Sequence, residues 1–120
     1  MTPETRVKST IMDYLLKLKK DGAPIFYDRR QAGSFNYKKG IPDIYVVYYG
    51  IHIEVEVKAP GGHLSTMQEK YRDVFKKLGI RWICVENVEE LKKHLEHIER
   101  ISKLLRTLPE NFWSSNLIPD

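Results

Sequence analysis

Asp43-Ile44-Tyr45-Val46-Val47-Tyr48-Tyr49-Gly50-Ile51-His52-Ile53-Glu54-Val55-Glu56-Val57-Lys58 holds two runs rich in β-branched and aromatic residues, and Gly50 breaks them apart. The second run, from Ile51 to about Ala59, alternates. Ile53, Val55 and Val57 face one way, and Glu54, Glu56 and Lys58 face the other. So short a link predicts an antiparallel hairpin. Residues two apart on a strand are about 6.6 Å apart and share a face, so Glu56 and Lys58 project together. Asp43 stands where its strand begins, and pairing within the hairpin brings it toward Glu56. Just before it, Pro42 fixes the backbone and Gly40 permits a close approach.

Upstream, Thr2-Pro3-Glu4 reads as a helix start, with Thr2 at the cap, Pro3 at the first helical position and an acid in the first turn. Val7, Ile11, Leu15 and Leu18 continue as an amphipathic stripe to about Lys20, where Asp21-Gly22 ends it. Ile25 to Arg30 reads as a short strand, followed by a polar loop from Gln31 to Gly40. Downstream, Pro60-Gly61-Gly62 is a turn. Ser65 caps a helix running to about Leu78, with Val74 and Leu78 among its expected inward positions, and Gly79 stops it. Arg81 to Val85 is the next strand. Asn87, with Glu90 three residues on, opens a last helix whose apolar stripe is Leu91, Leu95, Ile98, Ile101 and Leu105. The expected order is α-β-β-β-α-β-α, an α/β fold with a mixed sheet flanked by helices and a parallel crossover between the third and fourth strands.

The chain of 120 residues is expected to form a single domain over residues 1–106, with a non-helical tail over 107–120 in which Phe112 and Trp113 are candidate anchors of a dimer. Twenty basic and 16 acidic residues leave a net charge of +4, a modest excess that suits a nucleic-acid partner without requiring one. Cys84 is the only cysteine, which excludes an internal disulfide and a cysteine-based zinc site. It reads as a small buried hydrophobe in Trp82-Ile83-Cys84-Val85. No segment resembles a signal peptide or a membrane span, so a cytoplasmic protein, of a bacterial cell or an infected host, is expected.

Two carboxylates converging beside an ammonium suit hydrolysis of a phosphodiester. Hard cations such as Mg²⁺ or Mn²⁺ take oxygen ligands, usually one or two carboxylates with water and phosphate, and Asp43 and Glu56 could supply them. A cation so held neutralises developing charge, and Lys58 could orient the attacking water or support that charge. By itself Glu-x-Lys on an alternating strand is also a common surface pattern, and solvated charges on an exposed hairpin face explain it equally simply.

The residues resemble the VRR-NUC family of the PD-(D/E)xK nuclease superfamily. The matching pieces occur in order: Glu4 near the start of the first helix, Gly40-Ile41-Pro42-Asp43, Glu56-Val57-Lys58, Gly62-His63-Leu64-Ser65 and Gln68. The compact length is similar to that of stand-alone members from phages and bacteria. The resemblance implies a restriction-endonuclease-like core. It implies Asp43 and Glu56 as metal ligands with the Val57 backbone carbonyl, and Lys58 as the catalytic lysine. It further implies branched DNA, such as four-way (Holliday) junctions or flaps, as substrate, and a homodimer.

Other residues carry two readings each. Glu4 could reach the metal or simply favour the helix dipole. Gln68 could line the site, and it also completes a capping box with Ser65. Glu54 reads as a surface charge or a salt-bridge partner. Arg29, Arg30, Lys38 and Lys39, with His63, are candidate phosphate contacts or solvated charges. Phe35, Tyr37 and Tyr45 could stack on an exposed base or pack internally. His52, His94 and His97 have no metal-ligand spacing. The expected function is a Mg²⁺- or Mn²⁺-dependent DNA endonuclease acting on structured DNA, in particular four-way junctions. A nuclease of flapped or linear DNA and a non-catalytic nucleic-acid-binding module are the alternatives.

Overall fold

The computed structural model describes residues 1–31 and 38–106. The elements are α1 (Pro3–Lys20), β1 (Ile25–Arg29), β2 (Ile44–Tyr48), β3 (Ile51–Val57), α2 (Thr66–Lys77), β4 (Arg81–Val85) and α3 (Val88–Leu105), in the expected order. The four strands form one sheet in the order β1-β2-β3-β4. β1 and β2 are antiparallel, as are β2 and β3, while β3 and β4 are parallel with α2 in the crossover. The sheet is therefore mixed. The hairpin turns at Tyr49 and Gly50, both with positive φ. That conformation suits Gly50, and it is uncommon for Tyr49.

Alternation on β3 sorts the sheet into two faces. Ile53, Val55 and Val57 join Ile44, Val46, Tyr48 and Val85 on the core face, where Ile11 and Leu15 of α1 and Leu91, Leu95 and Ile98 of α3 cover them. These residues are almost wholly withdrawn from water, and each fully buried aliphatic side chain contributes about 1.5–3 kcal/mol. The helix caps follow the sequence. Thr2 accepts from the Thr5 N–H, Asn87 accepts from the Glu90 N–H, and Ser65 and Gln68 form a reciprocal capping box.

One expectation and one alternative reading fail here. Val74 and Leu78 do not face inward: they are 51% and 67% exposed, and α2 has no buried residue. The reason is that, within the sheet, α2 packs chiefly against the edge strand β4, where Lys76 Nζ lies 5.9 Å from the centroid of the Trp82 ring. The other failure concerns the polar face of β3, which is not solvated. Glu54 is fully buried and Glu56 only 2% exposed. The tail 107–120 with Phe112 and Trp113, and the loop aromatics Phe35 and Tyr37, lie outside the described residues.

Candidate metal centre

Asp43 directly precedes β2, and the Arg30 N–H donates to its backbone carbonyl (2.8 Å), extending the β1–β2 ladder by one step. Its carboxylate reaches across to the end of β3, where Oδ2 accepts from the Val57 N–H (2.9 Å). That bond sets Asp43 against the carboxyl group of Glu56, close enough for the two to share a proton. Gly40 makes the approach possible. A Cβ there would stand 2.6 Å from Met67 Cβ and 2.9 Å from the Met67 carbonyl carbon, and its φ is +88°. Gly40 therefore lies directly against the first turn of α2.

Burial raises the pKa of Glu56 to about 9, reinforced by the hydrogen bond to Asp43 and by its negative charge, with Lys58 opposing. Burial also pushes Asp43 up. The hydrogen bonds from Glu56, the Val57 N–H and Lys8 outweigh it and hold Asp43 below the ordinary carboxylate range. Among the described residues no donor reaches Glu56 Oε1, which is buried. A proton shared with Asp43, a bound water or a cation would satisfy that oxygen. Two carboxyl groups at one strand end, one of them without a donor, fit a hard divalent ion bound through oxygen. Among the described residues no group of three His, Cys, Asp or Glu side chains forms a metal cage. A site of this kind would be completed by a carbonyl, water and phosphate.

Lys58 projects from the same face as Glu56. Its backbone N–H donates to the Val85 carbonyl (3.0 Å), which ties the strand end to β4. Its Nζ is 4.0 Å from Glu4 Oε1. Glu4 thus comes to the site from α1, held by Lys58 and by Lys8, whose Nζ is 3.4 Å from Glu4 Oε2. Lys8 also contacts Asp43 Oδ1 at 3.0 Å. Burial would lower the pKa of Lys8, but the bond to Asp43, its charge and that of Glu4 prevail and raise it. Sequence reasoning missed Lys8. The available signal was its position four residues after Glu4, one turn along the same helix face.

The hydrogen bonds Gln68 makes are those of the capping box: its Oε1 accepts from the Ser65 N–H (2.8 Å) and its N–H donates to Ser65 Oγ (3.2 Å). Arg29, Lys38, Lys39 and His63 are exposed. Arg30 is not free in that way. Its guanidinium donates twice to Glu54 (2.5 and 3.1 Å) and once to the Pro42 carbonyl (3.0 Å). It also lies 5.1 Å from the centroid of the Tyr45 ring, and His52 Nε2 contacts Glu54 at 2.5 Å. Of the two readings of Glu54, salt-bridge partner is the one the structure bears out, in a buried setting. Arg30 fastens the residue before Asp43 to the strand carrying Glu56, and its charge is already matched. Cys84 is half-buried beside Glu56 in the β3–β4 register. Burial is the main cause that raises its thiol to about 11, so it stays neutral.

No family model matches the chain, and no curated protein matches it. A solved structure described as a VRR_NUC domain does: it is 23% identical, the match covers 81% of this chain and 98% of that one, and the TM-score is 0.64. Its likeness is one of architecture, a mixed four-stranded sheet flanked by helices, spanning nearly all of the compared domain. The chain therefore has the restriction-endonuclease-like fold of a VRR_NUC domain.

Proposed function

We propose that the protein is a divalent-metal-dependent DNA endonuclease that hydrolyses phosphodiester bonds in structured DNA, in particular four-way junctions. The observation that carries this reading is the Asp43–Glu56 pair, in which Glu56 is buried with one oxygen lacking a donor, with two lysines alongside. A binding module has no need of carboxyl groups gathered where phosphate would sit.

Asp43, Glu56 and the Val57 carbonyl would hold Mg²⁺ or Mn²⁺, which supplies Lewis acidity and charge neutralisation when bound. Glu56 must give up its proton to act as a ligand. Lys58 orients the attacking water and supports charge on the phosphoryl oxygens as the water oxygen bonds to phosphorus and the bridging oxygen leaves. Arg29, Lys38, Lys39 and His63 hold flanking phosphates without reading sequence. The order of motifs from Glu4 to Gln68 supports structured DNA as the substrate, and a two-fold dimer would present two sites to a symmetric junction.

The test is a panel of labelled four-way junctions, flaps, duplexes and single strands, incubated with wild type and Lys58→Ala in Mg²⁺ or Mn²⁺. The expected result is wild-type cleavage that is fastest on junctions and lost in the variant. Retarded DNA without cleavage on every substrate would favour the non-catalytic module instead. Preference for flaps or linear duplex would retain the chemistry and reject the junction.

A further inference from the structure

Asp43 and Glu56 are not equally available. Both Asp43 oxygens are engaged, Oδ2 by the Val57 N–H at 2.9 Å and Oδ1 by Lys8 Nζ at 3.0 Å. The bond at Oδ2 is backbone and fixed by the end of β3. The bond at Oδ1 comes from a flexible four-carbon stem, and the Lys8 side chain is 20% exposed. A small divalent ion sits about 2.1 Å from its oxygen ligands. An ammonium and a dication crowded onto one carboxylate oxygen repel each other, so Lys8 and a metal ion compete for Oδ1. A second acceptor is ready for the displaced ammonium, because Glu4 Oε2 lies 3.4 Å from the same Nζ, one helical turn away.

We infer that Lys8 is a resident cation: it occupies Asp43 while no metal is bound, competes with the metal for that carboxylate, and moves to Glu4 when metal enters. Lys8 is thus a positioning residue that sets metal affinity, and Glu4 acts through it. Lys58 does not share this role, since its Nζ is 4.0 Å from Glu4. The inference rests on the metal-site reading above.

The experiment is titration of the metal-free protein with Mn²⁺, without DNA, following free Mn²⁺ by electron paramagnetic resonance. Wild type, Lys8→Met, Lys8→Gln and the pair Lys8→Met/Glu4→Gln are compared, with thermal melts in chelator. Both single variants are expected to bind Mn²⁺ more tightly, on the order of five- to tenfold, and to melt lower than wild type when metal-free. Adding Glu4→Gln to Lys8→Met should leave that affinity unchanged. Equal or weaker Mn²⁺ binding in the Lys8 variants would overturn the inference while leaving the metal site standing. Weaker binding on adding Glu4→Gln would make Glu4 a ligand itself and overturn its role as acceptor. Absence of Mn²⁺ binding in wild type would overturn the metal reading and this inference together.

Discussion

At the residue scale, Glu56 is held neutral by the fold. Its pKa is raised by burial to about 9, against an ordinary value of 4.5. Between those values the unfolded chain loses the proton and the folded chain keeps it, so unfolding releases a proton. The stability this group contributes is complete below about pH 4.5 and is lost as the pH rises toward about 9. Asp43 has the opposite sign, since its lowered pKa gives stability that is lost only as the pH falls below the ordinary carboxylate range. The window between belongs to Glu56. Melts of metal-free protein should therefore decline from pH 5 toward pH 9 in wild type and stay flatter in Glu56→Gln. Added Mg²⁺ or Mn²⁺ should offset the decline, with metal affinity rising over the same window. A flat wild-type profile would show that Glu56 ionises normally. The pairing of Glu56 with Lys58 was legible in the alternation of β3. The burial of that face was not, because alternation specifies which side chains share a face and says nothing of what covers it.

At the scale of elements, Arg30 and Glu54 join the end of β1 to β3 and hold the Pro42 carbonyl between them. Removing one member of a buried ion pair leaves the other uncompensated, at a cost of about 3–5 kcal/mol. Arg30→Met should lose that much in chemical denaturation, and Arg30→Met/Glu54→Leu should recover a large part of it. Arg29→Ala, exposed at the same strand end, should fall within about 0.5 kcal/mol of wild type. Sequence alone ranked Arg29 and Arg30 together as bases near a loop, since nothing local distinguishes an arginine aimed at solvent from one aimed at a residue 24 positions away. The helices divide in a similar way. Leu91, Leu95 and Ile98 of α3 were correctly read as a buried stripe because α3 lies across the sheet, and Leu95→Ala should cost about 2–5 kcal/mol. Periodicity placed Val74 and Leu78 of α2 inside by the same logic, but α2 meets a single edge strand and leaves them exposed. Val74→Lys should change stability by less than about 0.5 kcal/mol. The capping box of Ser65 and Gln68 was legible because it is made within four residues.

At the scale of the whole molecule, element order and mixed topology follow from short links, helix caps and periodicity, all of them local signals. The site is a different matter, because it is assembled from α1, the Gly40–Asp43 segment and the end of β3. Lys8 belongs to it only through tertiary contact. The net charge of +4 suits the proposed DNA substrate without requiring it, and on that proposal binding should weaken as salt rises. No described helix is long and apolar enough to cross a membrane. The central question is whether Asp43 and the buried Glu56 form a metal-dependent catalytic centre. Glu56→Gln tests this with little disturbance of the fold, because it replaces an already neutral carboxylic acid by a neutral amide of the same shape. The measurement is the cleavage rate of a labelled four-way junction in Mg²⁺ by wild type and by this variant, with folding checked by thermal melt. Metal-dependent cleavage by wild type is expected, with a loss on the order of a hundredfold or more in a folded variant. Equal cleavage by the folded variant, or cleavage by wild type undiminished in chelator, would contradict it.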